Sequence, residues 1–232
     1  IGLKFISSNL AGGTTVGSTS YKTGNAVAAD IGFYHDGTSA TTGDGFAWGV
    51  VLSNLGSKIA YTDNADAKDF IPANLGLGLN WRNRMNATNS ISFGLELNKL
   101  LVPTPPADPA TAAQLSEYRS KSVIGSWFSS FGDAPDGFSE ELKEFQVSLG
   151  GEYWYNNQFA LRAGYFFESK EKGNRRYFTA GLGIKYNIFG FNFAYLLPSG
   201  SGVSRNPLSN TLRFSIMFDL GGDAAKTTTT TN

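Results

Sequence analysis

A chain of 232 residues with 19 basic and 19 acidic side chains has no net field to attract nucleic acid or a strongly acidic partner. It has no cysteine, which excludes disulfide staples and zinc–thiolate sites, and no apolar run near the ~18–20 residues of a membrane-spanning helix. Charged residues make up 16% of the chain, well under the roughly 25% of typical soluble domains, so the outer face of a water-soluble β protein would be poorly wetted. Mean hydropathy, −0.18, looks soluble, but a membrane barrel evades that average because each strand shows lipid only alternate residues. The chain starts at Ile1 without an initiator Met or a signal peptide, which is read as a mature or truncated form.

Period-two alternation dominates the chain. About ten strands are expected, starting near Ile1, Ala26, Gly45, Asn74, Asn89, Glu144, Gln158, Arg175, Gly190 and Asn210. Each is close to the ~9–11 residues of a tilted membrane-crossing strand. The clearest runs from Gln158 to Glu168, with Phe159, Leu161, Ala163, Tyr165 and Phe167 on one face and Ala160, Arg162, Gly164 and Phe166 on the other. The same pattern places Phe178, Leu182 and Ile184, then Phe191 and Phe193, then Phe214 and Ile216 on one apolar side. The opposite face is mostly Gly, Ser, Asn and Thr, with Glu96, Glu152, Lys185 and Arg213 paired with opposite charges inside. Gly76, Gly78, Gly181 and Gly183 lie within strands, where they thin the wall and cradle no phosphate. Trp81, Tyr153, Trp154, Tyr155, Tyr186 and Tyr195, near strand ends, suit aromatic girdles at the headgroup level.

Connections alternate between long (8–25, 55–73, 102–143, 169–174, 198–209) and short (36–44, 83–88, 156–157, 187–188). This is the pattern of an outer-membrane barrel, with extracellular loops and tight periplasmic turns. It expects Lys58, Trp127, Lys172 and Arg205 outside and Asn156 and Asn187 on the periplasmic side. The 102–143 connection exceeds the ~12–15 residues of ordinary loops. It opens with Pro103, Pro105, Pro106 and Pro109, turns apolar at Val123, Ile124, Trp127, Phe128 and Phe131, and closes with a helix-like run at 139–144. Those rings either fold over the barrel mouth or sit in the aromatic belt, or they dock a partner; Trp127, Phe128 and Phe131 are the partner-contact candidates. Residues 1–220 are read as one barrel domain and 221–232 as a disordered polar tail.

Chemistry finds little to build on. His35, the one histidine, follows Tyr34 beside Asp36 and near Asp30, an arrangement able in principle to activate a water or a serine; a loop-end residue at a tight turn is the plainer reading. Asp63, Asp66 and Asp69 are spaced by three and lack EF-hand spacing. No catalytic residue, cofactor or metal is expected.

The strings LSNLGSKIAYTDNADAKDFIPANLGLGL at 52–79 and SWFSSFGDAPDGFSEELKEFQVSLGGEYWY at 126–155 resemble the PorV family, the outer-membrane barrels of the type IX secretion system, relatives of FadL-type fatty-acid channels. The resemblance continues through FALRAGYFFESKEKGNRRYFTAGLGIKYNIFGFNFAYLLP and ends at NTLRFSIMFDL, covering about 47–220, with the first forty residues looser. It implies an all-β transmembrane antiparallel barrel of fourteen strands, of which the N-terminal ones would be absent here, so that the chain is the C-terminal part of a longer protein. It also implies a non-enzymatic shuttle subunit. Such a subunit binds cargo proteins by their C-terminal signal domains as they leave the translocon and delivers them to the surface attachment complex with its sortase. The alternative is a FadL-like channel for hydrophobic small molecules.

Overall fold

The computed structural model describes residues 1–10, 12–64, 67–199 and 210–219. Among these, ten strands form one antiparallel sheet in which each pairs with its neighbour in the chain. They are β1 (Gly2–Ser8), β2 (Gly24–Asp36), β3 (Gly45–Gly56), β4 (Asn74–Arg84), β5 (Asn89–Leu100), β6 (Gln146–Tyr155), β7 (Phe159–Phe167), β8 (Arg176–Tyr186), β9 (Phe189–Pro198) and β10 (Leu212–Phe218). Every start falls within two residues of the position expected from the alternation.

Register shows why the alternation was so readable. One row runs across the wall from Trp48 through Leu79, Leu95, Leu149, Tyr165 and Phe178 to Leu197, each residue opposite the next. Most of its side chains are exposed, as are Phe191, Phe214 and Ile216 further along. The facing row runs Gly49, Gly78, Glu96, Ser148, Phe166, Tyr177. Because side chains one residue apart point to opposite faces, a slip in any one strand would exchange the two rows. The sheet therefore turns its apolar face outward. Among the described residues one small cluster of buried apolar side chains is present, with Ala26 and Ala28 of β2 packed with Ile59 and Ile71.

Strands β2 to β8 curve around a cavity of about 1100 Å³ lined by the glycine-rich face. The wall is barrel-like but not closed, since β1 and β10 each have one neighbour among the described residues. β1 pairs with 24–30, the half of β2 next to a long connection, whereas β10 pairs with 189–195, the half of β9 next to a tight turn. The two edge strands thus occupy opposite halves of their neighbours.

Inside, the expected charge pairing is present for Glu152 and Lys185, whereas Glu96 accepts from the Asn98 amide and neither it nor Arg213 is in an ion pair among the described residues. Arg162 meets Glu152 at 2.5 Å and Asn192 at 2.7 Å, and Lys185 lies 3.7 Å from Asp219. The glycines make room for it: a Cβ at Gly183 would come within 2.8 Å of the Arg162 guanidinium, and one at Gly164 within 2.7 Å of Thr179 Oγ1. Trp154 departs from its expected place in a girdle. It falls between outward Tyr153 and Tyr155, on the inner face, with the Arg162 guanidinium 5.4 Å above its ring. Trp81 does face outward, stacked on Phe93 at 6.0 Å.

No helix among the described residues is long and apolar enough to cross a membrane. Three short helices are present, all in the 101–145 connection: α1 (Ala112–Ser120), α2 (Val123–Ser129) and α3 (Phe138–Lys143). Only α3 was legible in the sequence. Arg205 and the 221–232 tail lie outside the described residues.

Candidate functional site

The long connections gather at one end of the sheet and are tied to one another. α1 starts with a full capping box, Thr111 and Gln114 each satisfying the other's backbone N–H. Its C-terminal carbonyls are held from a different connection, since Lys58 Nζ donates to the carbonyls of Arg119 and Lys121 at 2.6 Å each. Lys58 also lies 4.3 Å above the Phe70 ring, which packs edge-on against Tyr118. Arg119 pairs with Asp69 at 3.1 Å. The 9–23 connection joins through Lys22, which pairs with Asp63 at 2.5 Å and donates its backbone N–H to Tyr61. Burial, with Lys68 nearby, lowers the Lys58 ammonium below the usual lysine range. Burial raises the Tyr118 phenol above its usual value.

A second knot fastens α3 to the 168–175 connection. Lys99, on β5, is fully buried and donates to Glu141 at 3.1 Å and to Glu144 at 2.5 Å. Glu144 also accepts from Lys172 at 2.9 Å, and Lys172 reaches Glu140 at 2.8 Å. The second oxygen of Glu141 accepts the Ala134 N–H, and Asp133 accepts both the N–H and the hydroxyl of Thr104. On the inner side, Glu168 takes Arg175 in a two-pronged pair and accepts from Gln146. Burial pushes Glu144 up, but the hydrogen bonds from Lys99 and Lys172 outweigh it and leave its carboxyl below the usual range. Glu140 is also held low by Lys172. Lys172 is pushed down by burial, yet its two carboxylates raise it overall.

The partner-contact candidates sit between these knots. α2 is capped by the Ser122 side chain and buries Ser126, with Ser130 just beyond it. Trp127 is half-buried, Phe128 is 75% exposed, and the Phe131 ring covers Lys99 at 5.7 Å. Sequence reasoning missed α1 and α2 and the lysine anchors. The spacing of Thr111 and Gln114, and Ser122 before Val123, were the available signals for the helices. Nothing in the order of residues marks Lys99 as the centre of an ion network.

The chemistry considered at His35 is not assembled. His35 lies on the outer face, its ring 5.9 Å from Trp48. Asp36 accepts from both the N–H and the hydroxyl of Thr38, while Asp30 is held by Lys4 at 2.7 Å and by the N–H of Asn54. Asp63 and Asp69 are paired with Lys22 and Arg119, and Asp66 lies outside the described residues. Among the described residues no group of carboxylates and His is arranged for a metal. The long-loop end is an anchored surface that exposes Ile124, Phe128 and Phe138 among polar side chains.

A comparison with known families identifies part of the chain. Residues 2–107 match the family model of the type IX secretion system protein PorV. The match covers β1 to β5 and the start of the 101–145 connection. It includes the first strands, which by sequence reading were only loosely PorV-like, and the 52–79 string. The strings quoted beyond residue 107 lie outside the match. No curated protein matches the chain.

Proposed function

We propose that this chain is an outer-membrane shuttle subunit of the type IX secretion system. In this role it receives cargo proteins by their C-terminal signal domains as they leave the translocon and passes them to the surface attachment complex with its sortase. The observation that carries the reading is the PorV match over β1–β5 on a sheet whose apolar face points outward along its whole width. Such a face suits a bilayer, where every strand must satisfy its backbone through its neighbours.

In this reading the long connections, including Lys58, Trp127 and Lys172, are extracellular, and the turns at Asn156 and Asn187 are periplasmic. Trp127, Phe128 and Phe131 are the residues proposed to meet a partner. The work is binding and hand-over, with no covalent step. The channel alternative is less well supported, because Glu96, Glu152 and Arg162 place charges on the inner face.

Affinity capture of the native protein from solubilised membranes tests the proposal. It predicts recovery of a large translocon barrel together with signal-bearing cargo. Recovery of neither contradicts it.

A further inference from the structure

The helices α2 and α3 are inside out. α2 buries Ser126, with Ser130 just past its end, and turns out Ile124 and Phe128, 62% and 75% exposed and one helical turn apart. α3 repeats the inversion, burying Glu141 while Phe138 and Leu142, also four residues apart, are 77% and 55% exposed. In water a surface helix shows the reverse arrangement, apolar stripe inward and polar face out. The inversion matches that of the strands.

Location decides what covers this face. By register Lys99 stands opposite Leu75, two residues beyond outward Leu97, and so belongs to the apolar outer row. It is nonetheless fully buried, closed in by Glu141 and Glu144 of the α3 segment and by the rings of Phe131 and Phe145. The end of the 101–145 connection therefore overhangs the outer wall at β5 and does not close the mouth. Its exposed rings continue outward-facing Leu95 and Leu149, both exposed on the same wall.

We infer that α2 and α3 form a membrane-seated collar, with Ile124, Phe128, Phe138 and Leu142 in the headgroup–acyl boundary of the bilayer. The buried Lys99–Glu141–Glu144 cluster supports the collar from behind. This rests on the proposed membrane reading and names lipid as the partner that the α2 rings meet. An interfacial helix with aromatic and aliphatic residues on its lower face is held by the apolar area it immerses.

Because the chain has no cysteine, single spin labels can be placed at will. Phe128→Cys and Leu142→Cys, each labelled in the full chain reconstituted in lipid nanodiscs, are compared with Leu95→Cys on the wall and Asn156→Cys at a tight turn. The collar predicts that labels at 128 and 142 meet oxygen several-fold more than a water-soluble nickel chelate, as at 95 but at shallower depth, with the preference reversed at 156. Nickel preference at 128 and 142 with oxygen preference kept at 95 overturns the collar and leaves the membrane wall standing. Nickel preference at 95 as well overturns the membrane reading itself. Labels at 128 and 142 shielded from both reagents mean that protein covers the face, and this also overturns the collar. Quenching of Trp127 fluorescence by lipids brominated near the headgroup gives a second reading that leaves the α2 sequence unchanged.

Discussion

The strand wall and the overhanging end of the 101–145 connection share an inverted surface but are held together by different forces. In the wall, backbone ladders carry the structure, and side chains need only alternate between bulk outside and small or paired polar groups inside. In the overhang there is almost no ladder, and ion pairs gathered on Lys99 and Lys172 do the holding. A wall built this way tolerates changes of size on its outer face and resists them on its inner one. An ion-held overhang should respond to charge and pH while the wall does not.

The largest expected effect separates the two regions at Lys99. Lys99→Met leaves Glu141, 7% exposed at its side chain, without its cation, and removing one member of such a buried pair costs about 3–5 kcal/mol. The loss should appear as faster amide exchange across 131–145 with β7 to β9 unchanged; a uniform loss across the wall would mean that the two regions are not separable. Next comes Gly56→Val in the wall, where a Cβ would collide with the Val27 carbonyl and the Ala28 backbone. Overpacking of this kind costs about 1–3 kcal/mol or more, read as a lower thermal midpoint in nanodiscs, with the 131–145 exchange pattern preserved.

A third test uses acid. Glu140 and Glu144 are held below the ordinary carboxylate range in the folded protein, so the stability they give is complete above their unfolded values and fades as pH falls through the folded ones. Acidification below the usual carboxylate range should free the 131–145 segment first, measurable as label mobility at position 142. Equal loosening of a label at 95 would blur the distinction. Smaller still, Thr111→Ala removes the capping box of α1 and costs about 1 kcal/mol, confined to exchange in 112–120. The smallest effect belongs to Lys143→Ala, whose pair with Glu171 is well exposed and screened by water, so the thermal midpoint should not move measurably.

The same contrast explains how much the sequence disclosed. In the wall, one period governs every strand, so Phe159, Leu161 and Tyr165 announce their face by spacing alone, and Glu152, Arg162 and Lys185 announce the other. Trp154 was misplaced because its neighbours Tyr153 and Tyr155 made the triplet look like a girdle, although alternation already put it inside. In the long connections the contacts join residues far apart in the chain, such as Lys58 to Arg119 and Lys99 to Glu144, and no local pattern encodes them. α2 was read as a cluster of rings because its pattern is inverted. A helix that buries serine and shows phenylalanine does not resemble a helix of a water-soluble domain. The half of each neighbour that β1 and β10 occupy was equally hidden, since spacing counts strands but does not give their register.

The most direct measurement of the outward apolar wall uses the native tryptophans of the protein in bilayers of acyl-brominated lipid, each read with the other three changed to Phe. The account predicts strong quenching of Trp48 and Trp81, which face outward, and little of Trp154, which lies inside beneath Arg162. Quenching of Trp154 with Trp48 and Trp81 spared, or a protein that stays in water without lipid or detergent and shows no quenching at all, would contradict it.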